Sequence, residues 1–461
     1  MFYLFISVLS LILYMSAPRA YSYTYNIIIL VVYVLVFCIF ARKERIKALS
    51  YPSLLFFVYF FVNFAYPVFI YPFDSMFVLQ FKYSFSPYYI NSGSAMSLLA
   101  FVLFISGYSR RKMVKVASHH KILFLNRKNY KAVLCFSVMV LLYNLFEIIP
   151  QIGINYADAK VPFQSGSLFV MLESTLSLLL CYINRFEMKG NTKFFFNKLR
   201  VHIFLCLSFA IGCLLLGSRE YVLSLTLMFV FLYSYYVRSI NSVKMIVGLF
   251  VGVLAFFLVV QVRNGTQITN SKELFEVKSW QNGQVSSLWN LPADLIINNR
   301  NLYVGMQYVD DPKHGYTYGY NYIPNLLSPI PFLPSLFTTY FLGTTVADLT
   351  SQQILTDYTR EDLGESRLDY ELGSNCVVDV YMAFGFIGVI LLFYGLGLFV
   401  KYLENNMGTN AKAACIYIVL FTGIVFFCRS SFLGPLKNLV WSYWLCCILL
   451  KSVNTKLLNR I

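Results

Sequence analysis

Charged side chains are scarce in this chain. Asp, Glu, Lys and Arg make up 13% of its 461 residues, while 58% are hydrophobic. Soluble domains carry about twice that share of charge, so a soluble globular fold is excluded. Histidine is rarer still, with 4 copies. The 10 cysteines sit in or at the edge of apolar segments, and Cys206, Cys213 and Cys446 read as small packing residues. No disulfide framework and no metal-ligand spacing follows from them, and no cofactor is called for. His314 is a lone outer histidine, and Asp310-Asp311 before Pro312 is a lone acidic pair in a turn, too little to hold a metal. Internal repeats and inverted pairs of broken spans are also lacking, and few ionisable groups stand deep in apolar runs, Glu147 and Glu173 chief among them. Both absences weigh against an ion-coupled transporter.

Long apolar runs are what the chain does have. Twelve of them, at about 2–17, 25–41, 54–72, 93–108, 132–150, 166–184, 201–217, 220–237, 243–262, 376–400, 412–428 and 434–450, approach the length needed to cross about 30 Å of hydrocarbon. The first lacks a basic leader and a cleavage site and is expected to stay as a span. An all-α polytopic membrane protein with about twelve transmembrane helices is expected. The net charge of +16 is a topology signal and not a nucleic-acid patch. Arg42, Lys43, Arg45 and Lys47, then Arg110, Arg111 and Lys112, then Arg185 through Arg200 fall in alternate connections. The opposite connections hold little beyond Arg19, Lys82, Lys160, Arg219, Arg429 and Lys437. The positive-inside rule therefore puts both termini in the cytoplasm.

That topology places residues 263–375 outside, between nine spans (1–262) and three (376–461). The stretch holds 12 acidic and 7 basic residues, and a connection this long commonly carries function. Residues 273–289 and 348–363 have helical periodicity. Between them, residues 319–334 carry spaced prolines that favour extended backbone. Their aromatic side chains, Tyr320 and Tyr322 among them, suit either a platform for a sugar ring or a belt at the membrane surface.

Arginines on the outer side run against the charge bias. Arg219 stands in the turn Gly217-Ser218-Arg219-Glu220, Arg263 ends the ninth span, Arg429 ends the eleventh, and Arg300, Arg360 and Arg367 lie in the long stretch. Guanidinium groups grip phosphate oxygens through paired hydrogen bonds, and a lipid diphosphate presents its charge at that depth. Snorkelling, or pairing with an acid such as Glu220, is the alternative for each. A second constellation opens the tenth span: Glu371, Gly373-Ser374-Asn375, Asp379-Val380-Tyr381 and Phe384-Gly385-Phe386-Ile387-Gly388. Asp379 enters the apolar run within about one turn, where a lone carboxylate is costly. It suits a base or an orienter of an arginine, whereas Gly385 and Gly388 suit close helix packing.

The Gly-Ser-Arg turn, the proline-rich aromatic stretch around 323–334 and the Asp379 to Gly388 segment resemble the O-antigen (Wzy-type) polymerase family. The resemblance implies a GT-C-like, metal-independent glycosyltransferase of the bacterial cytoplasmic membrane with a large, partly helical periplasmic loop. It implies transfer of a growing chain from undecaprenyl diphosphate to the non-reducing end of a new lipid-linked repeat unit, in O-antigen, lipopolysaccharide, capsule or other polysaccharide biosynthesis. Donor and acceptor are both undecaprenyl-diphosphate-linked oligosaccharides, with membrane lipid around them. A chain-length regulator and a flippase are implied partners. Arg219, Asp379 and Glu371 then fall in the catalytic set, with Arg263, Arg429, Arg360, Arg367 and Arg300 beside Arg219 on the diphosphate and Tyr320, Tyr322 and Tyr381 on sugar. The alternatives are an O-antigen ligase and a repeat-unit flippase. Ser374-Asn375 stands where the ligases show a His-Asn pair. The first outer connection (18–24) lacks the acid that a metal-dependent transferase needs.

Overall fold

The computed structural model describes residues 2–75, 85–110, 122–151, 163–216, 220–240, 288–290, 292–363 and 372–453. Its helices, in chain order, are α1 (Phe2–Met15), α2 (Tyr23–Glu44), α3 (Tyr51–Asn63), α4 (Tyr88–Tyr108), α5 (Arg127–Ile148), α6 (Phe163–Ile183), α7 (Thr192–Leu216) and α8 (Glu220–Tyr236). There follow α9 (Asn298–Asp310), α10 (Ser351–Leu363), α11 (Cys376–Asn406), α12 (Ala411–Thr422) and α13 (Leu436–Leu449). Among the described residues, α2, α4, α5, α6, α7 and α11 are long and apolar enough to cross a membrane, while α1, α3, α12 and α13 are apolar but shorter. The run at 243–262 lies outside the described residues.

Two compact units emerge, interleaved along the chain. One comprises Met1–Arg111, Val243–Lys401 and Phe426–Gly434, and the other Lys112–Ser242, Tyr402–Val425 and Pro435–Ile461. In the first unit, α4 is buried along nearly its whole length, because Ser92, Gly93, Ser94, Ser97 and Gly107 let neighbours approach closely. A Cβ on Gly107 would collide with the Tyr394 carbonyl of α11, and one on Gly397 with the Phe104 carbonyl of α4. The two helices therefore cross backbone to backbone. Buried Asn91 fixes the α1–α2 connection by donating to Pro18 O at 2.9 Å and Ala20 O at 2.7 Å.

Part of the 263–375 stretch belongs to this core. The sequence reading has no helix at α9, whose Asn-Asn-Arg-Asn start looks like surface. The structure buries residues Asn298 to Met306 of it. Gly93 of α4 receives the Tyr303 ring, and Gly305 faces Leu355 of α10 and Val378 of α11. The helix at α10 agrees with the sequence periodicity, and the one expected at 273–289 lies outside the described residues except at its end, where Leu288–Asn290 forms a single helical turn. Residues 319–334 are not extended: they form short turns at Tyr320–Tyr322, Ile323–Leu327 and Leu333–Phe337. Pro324 and Pro334 stand in the first turn of their helices, where the missing N–H would have had no partner anyway.

In the second unit, α6 is the buried centre, packed by α5, α7, α8, α12 and α13. One antiparallel ribbon interrupts the all-α expectation: β1 (Ile122–Leu125) pairs with β2 (Leu450–Val453), Ile122 opposite Val453. Each strand is only four residues long and adjoins an apolar helix, so its pattern merges with the neighbouring run.

Candidate functional site around Asp379

The first turn of α11 is fastened by asparagines. Asn375 Oδ1 accepts from Val377 N at 2.9 Å, and its carbonyl accepts from Asp379 N, as in a helix N-cap. Its Nδ2 donates to Asn63 Oδ1 at 3.0 Å, and Asn63 Oδ1 also accepts from Ser97 Oγ. Gly373 precedes this turn at φ 79, a left-handed value that suits glycine. Asn301 Nδ2 reaches Leu372 O at 2.9 Å, and the hydroxyls of Ser374 and Ser351 pair at 2.9 Å. The start of α11 is thus tied to α3, α4, α9 and α10.

Asp379 is fully buried at this point. Its Oδ1 accepts from Asn321 Nδ2 at 3.0 Å, and its Oδ2 accepts from Ser431 Oγ at 2.9 Å and Phe432 N at 2.8 Å. A desolvated carboxylate is tolerable when its lone pairs are occupied in this way. Ser431 Oγ in turn accepts from Asn325 Nδ2 at 2.9 Å. One carboxylate therefore joins three pieces of chain: the head of α11, the aromatic segment carrying Asn321 and Asn325, and the segment carrying Arg429.

A break in α11 completes the joint. Gly385 has φ 63 and ψ −160, a region essentially reserved for glycine. The break exposes the Met382 carbonyl, and Thr317 N donates to it at 2.8 Å. Thr317 Oγ1 donates to Asn321 Oδ1 at 2.7 Å, orienting the amide that holds Asp379. Gly385 is therefore a docking point for a loop, not the helix-packing glycine expected from sequence. The Tyr316 ring lies close against it, so that an added Cβ would come within 3.1 Å of the Tyr316 hydroxyl.

The sequence-singled residues fall as follows. Tyr322 is buried near the Phe384 ring, at 5.9 Å between centroids. Burial first, and then the neighbouring Asp379 carboxylate, push its phenol well above the ordinary range. Tyr320 is exposed, and Tyr381 is buried with its hydroxyl accepting from Tyr14 at 3.3 Å. Arg429 is half-buried, two residues before Ser431. Arg300 lies inside the unit on α9, 1% exposed, donating from Nη2 to Thr359 Oγ1 at 2.9 Å. Arg360 pairs with Asp357 at 3.0 Å on α10. His314, the lone outer histidine, stacks on Tyr308 at 4.6 Å. Arg219, Arg263, Arg367 and Glu371 lie outside the described residues. Among the described residues, no three His, Cys, Asp or Glu side chains gather as metal ligands.

Sequence reasoning missed Asn321, Thr317, Ser431 and the Phe432 amide. Short polar residues in loops far apart in the chain give no periodic signal. Asp379 and the Phe-Gly-Phe-Ile-Gly run marked the place to which they converge, but not the partners themselves.

With this geometry in view, comparison with protein families is decisive. The family described as O-antigen polysaccharide polymerase Wzy matches residues 1–458, essentially the whole chain. The chain belongs to that family. It is a multi-pass membrane enzyme that polymerises lipid-linked repeat units in polysaccharide biosynthesis. No curated protein and no solved structure matched it.

Proposed function

We propose that this polymerase works on the outer face of the bacterial cytoplasmic membrane, as a GT-C-like enzyme of about twelve spans with both termini cytoplasmic and residues 263–375 periplasmic. It transfers the growing glycan from undecaprenyl diphosphate to the non-reducing end of a new lipid-linked repeat. A hydroxyl of the acceptor attacks the anomeric carbon of the donor. The bond from that carbon to the diphosphate oxygen breaks, a glycosidic bond forms, and undecaprenyl diphosphate departs. The hydroxyl proton passes to a carboxylate base. The departing diphosphate gathers negative charge, which arginines stabilise electrostatically without a metal. A chain-length regulator and a flippase would act alongside.

One observation carries this reading: the Asp379 carboxylate fastens the Arg429-bearing segment and the aromatic segment to the same helix head. On this reading Arg429 is assigned to the diphosphate, and Tyr320, Tyr322 and Tyr381 are assigned to the sugar. Arg219, Arg263, Arg360 and Arg367 are assigned to the same anion. Arg300 supports it from within the fold, through the α9–α10 contact. Asp379 already accepts from three donors, which favours the orienting role over the basic one and leaves Glu371, with Glu220 behind it, as the carboxylate proposed to take the proton.

The test is the glycolipid profile of cells carrying Arg219→Ala, Arg263→Ala or Arg429→Ala. Long chains should disappear while the single-repeat glycolipid persists, a loss of about 100-fold or more in turnover by analogy with removed oxyanion ligands. Lysine replacements should rescue poorly, since a point charge cannot hold two oxygens. Normal ladders in these alanine variants would dismiss the arginine clamp.

A further inference from the structure

The long stretch 263–375 is not uniformly polar. Its 12 acidic and 7 basic residues all lie outside residues 315–347, a run of 33 residues without a single Asp, Glu, Lys, Arg or His. Within that run, Leu326, Ile330, Phe332, Leu336, Tyr340 and Phe341 are between 52% and 81% exposed. Large apolar side chains gathered at the surface of one segment mark an interaction site.

We infer that residues 315–347 lie in the plane of the membrane, with these six side chains seated at the boundary between lipid headgroups and acyl chains. Three observations fix lipid as the occupant. The inner edge of the segment is pinned by polar contacts, Asn321 to Asp379 and Asn325 to Ser431, which leaves the apolar edge facing away from the protein. The segment is attached to α11 at Phe384, which meets Gly319 and Tyr322. Phe384, Phe386, Ile387 and Leu391 of that membrane-length helix are themselves exposed, so the apolar surface runs on from a span into the segment. Finally, Pro324, Pro329, Pro331 and Pro334 break the segment into short helical pieces, Tyr320–Tyr322 continuing into Ile323–Leu327 and Leu333–Phe337 continuing into Thr338–Leu342, neither long enough to cross the hydrocarbon. Such a backbone cannot enter the hydrocarbon core with its polar groups unmet, but it is stable at the interface, where Tyr340 can present its hydroxyl to water.

The experiment uses the full chain in lipid nanodiscs of phosphatidylethanolamine and phosphatidylglycerol. Spin labels are placed singly at Phe332→Cys, Phe341→Cys and Ile330→Cys after Cys38, Cys135 and Cys447, the exposed cysteines among the described residues, are changed to Ser. Lys313→Cys serves as the aqueous reference. The ratio of collision with oxygen to collision with a water-soluble nickel chelate should be at least severalfold higher at the three apolar positions than at Lys313→Cys. A ratio equal to the reference would place the segment in water and overturn the inference. Low collision with both reagents, or spin–spin coupling between copies, would show a protein on this surface and overturn it equally. Three positions are used so that a variant that fails to insert does not decide the result, and chain polymerisation in cells reports which variants are folded.

Discussion

At the scale of single residues, Asp379 separates two kinds of role. A base gives up activity alone when its charge is removed, whereas an anchor gives up structure too. Asp379→Asn puts an amide N–H₂ where either Asn321 or the Ser431–Phe432 pair donates. At least one charge-assisted hydrogen bond is lost, worth about 1.5–3 kcal/mol. The variant should therefore unfold at lower temperature in detergent and should also lose the long-chain ladder. Unchanged thermal stability with lost turnover would return the residue to the role of base. The acid itself was legible in the sequence, because a carboxylate inside an apolar run demands a partner. Its partners were not, since Asn321 and Ser431 reach it across 58 and 52 residues of chain. The partner expected was an arginine. The structure supplies a hydroxyl, an amide and a backbone N–H, which carry no charge and leave no composition signal.

At the scale of elements, the helices were legible because hydrophobic runs of this length have few alternatives, while breaks and short pieces were not. Gly385 and Gly395 lie ten residues apart in α11 and look equivalent in sequence. Gly385 adopts φ 63, and an added Cβ would come within 3.1 Å of the Tyr316 hydroxyl, whereas one on Gly395 would meet nothing within 4 Å. Gly385→Ala should cost about 1–3 kcal/mol through backbone strain and should disturb the Thr317 docking. Gly395→Ala should be neutral or stabilising by about 0.5–1 kcal/mol. Thermal unfolding of the two variants side by side checks this, and equal effects would refute the broken-helix reading. In the second unit, buried Glu173 of α6 accepts from Ser137 Oγ of α5 at 2.6 Å and lies 2.6 Å from His202 Nδ1 of α7, whose Nε2 meets the Tyr130 hydroxyl at 2.7 Å. The sequence marked Glu173 as deep, but it could not show that a histidine from another helix would face it. Removing one member of such a pair leaves the other buried and unmatched, at a cost of about 3–5 kcal/mol, whereas replacing both with apolar groups is often neutral. His202→Ala should thus lower the unfolding temperature sharply, and the double variant Glu173→Leu, His202→Leu should recover much of the loss. A double variant worse than either single change would argue for a role beyond packing.

Across the whole molecule, the distribution of charge determines sidedness. Basic residues cluster at 42–47, 110–131 and 185–200, whereas residues 263–375 carry a net acidic balance of 12 to 7. Translocation retains Lys and Arg on the cytoplasmic side, so the two kinds of connection should face opposite compartments. Lys189 and Lys313 are suitable reporters because each stands in an exposed turn, next to Gly190 and just after Pro312 respectively. In intact cells lacking the exposed native cysteines, Lys313→Cys should react with a membrane-impermeant maleimide and Lys189→Cys should not. Lysis should make Lys189→Cys reactive. The charge argument also demands that the pattern be sensitive to its cause. Changing Lys43, Arg45 and Lys47 to Gln together should weaken the inward retention of the connection after α2 and produce a mixed labelling pattern. A reversed pattern in the unaltered chain would put the aromatic segment and Arg429 on the cytoplasmic side, and an extracytoplasmic polymerisation site would then be untenable.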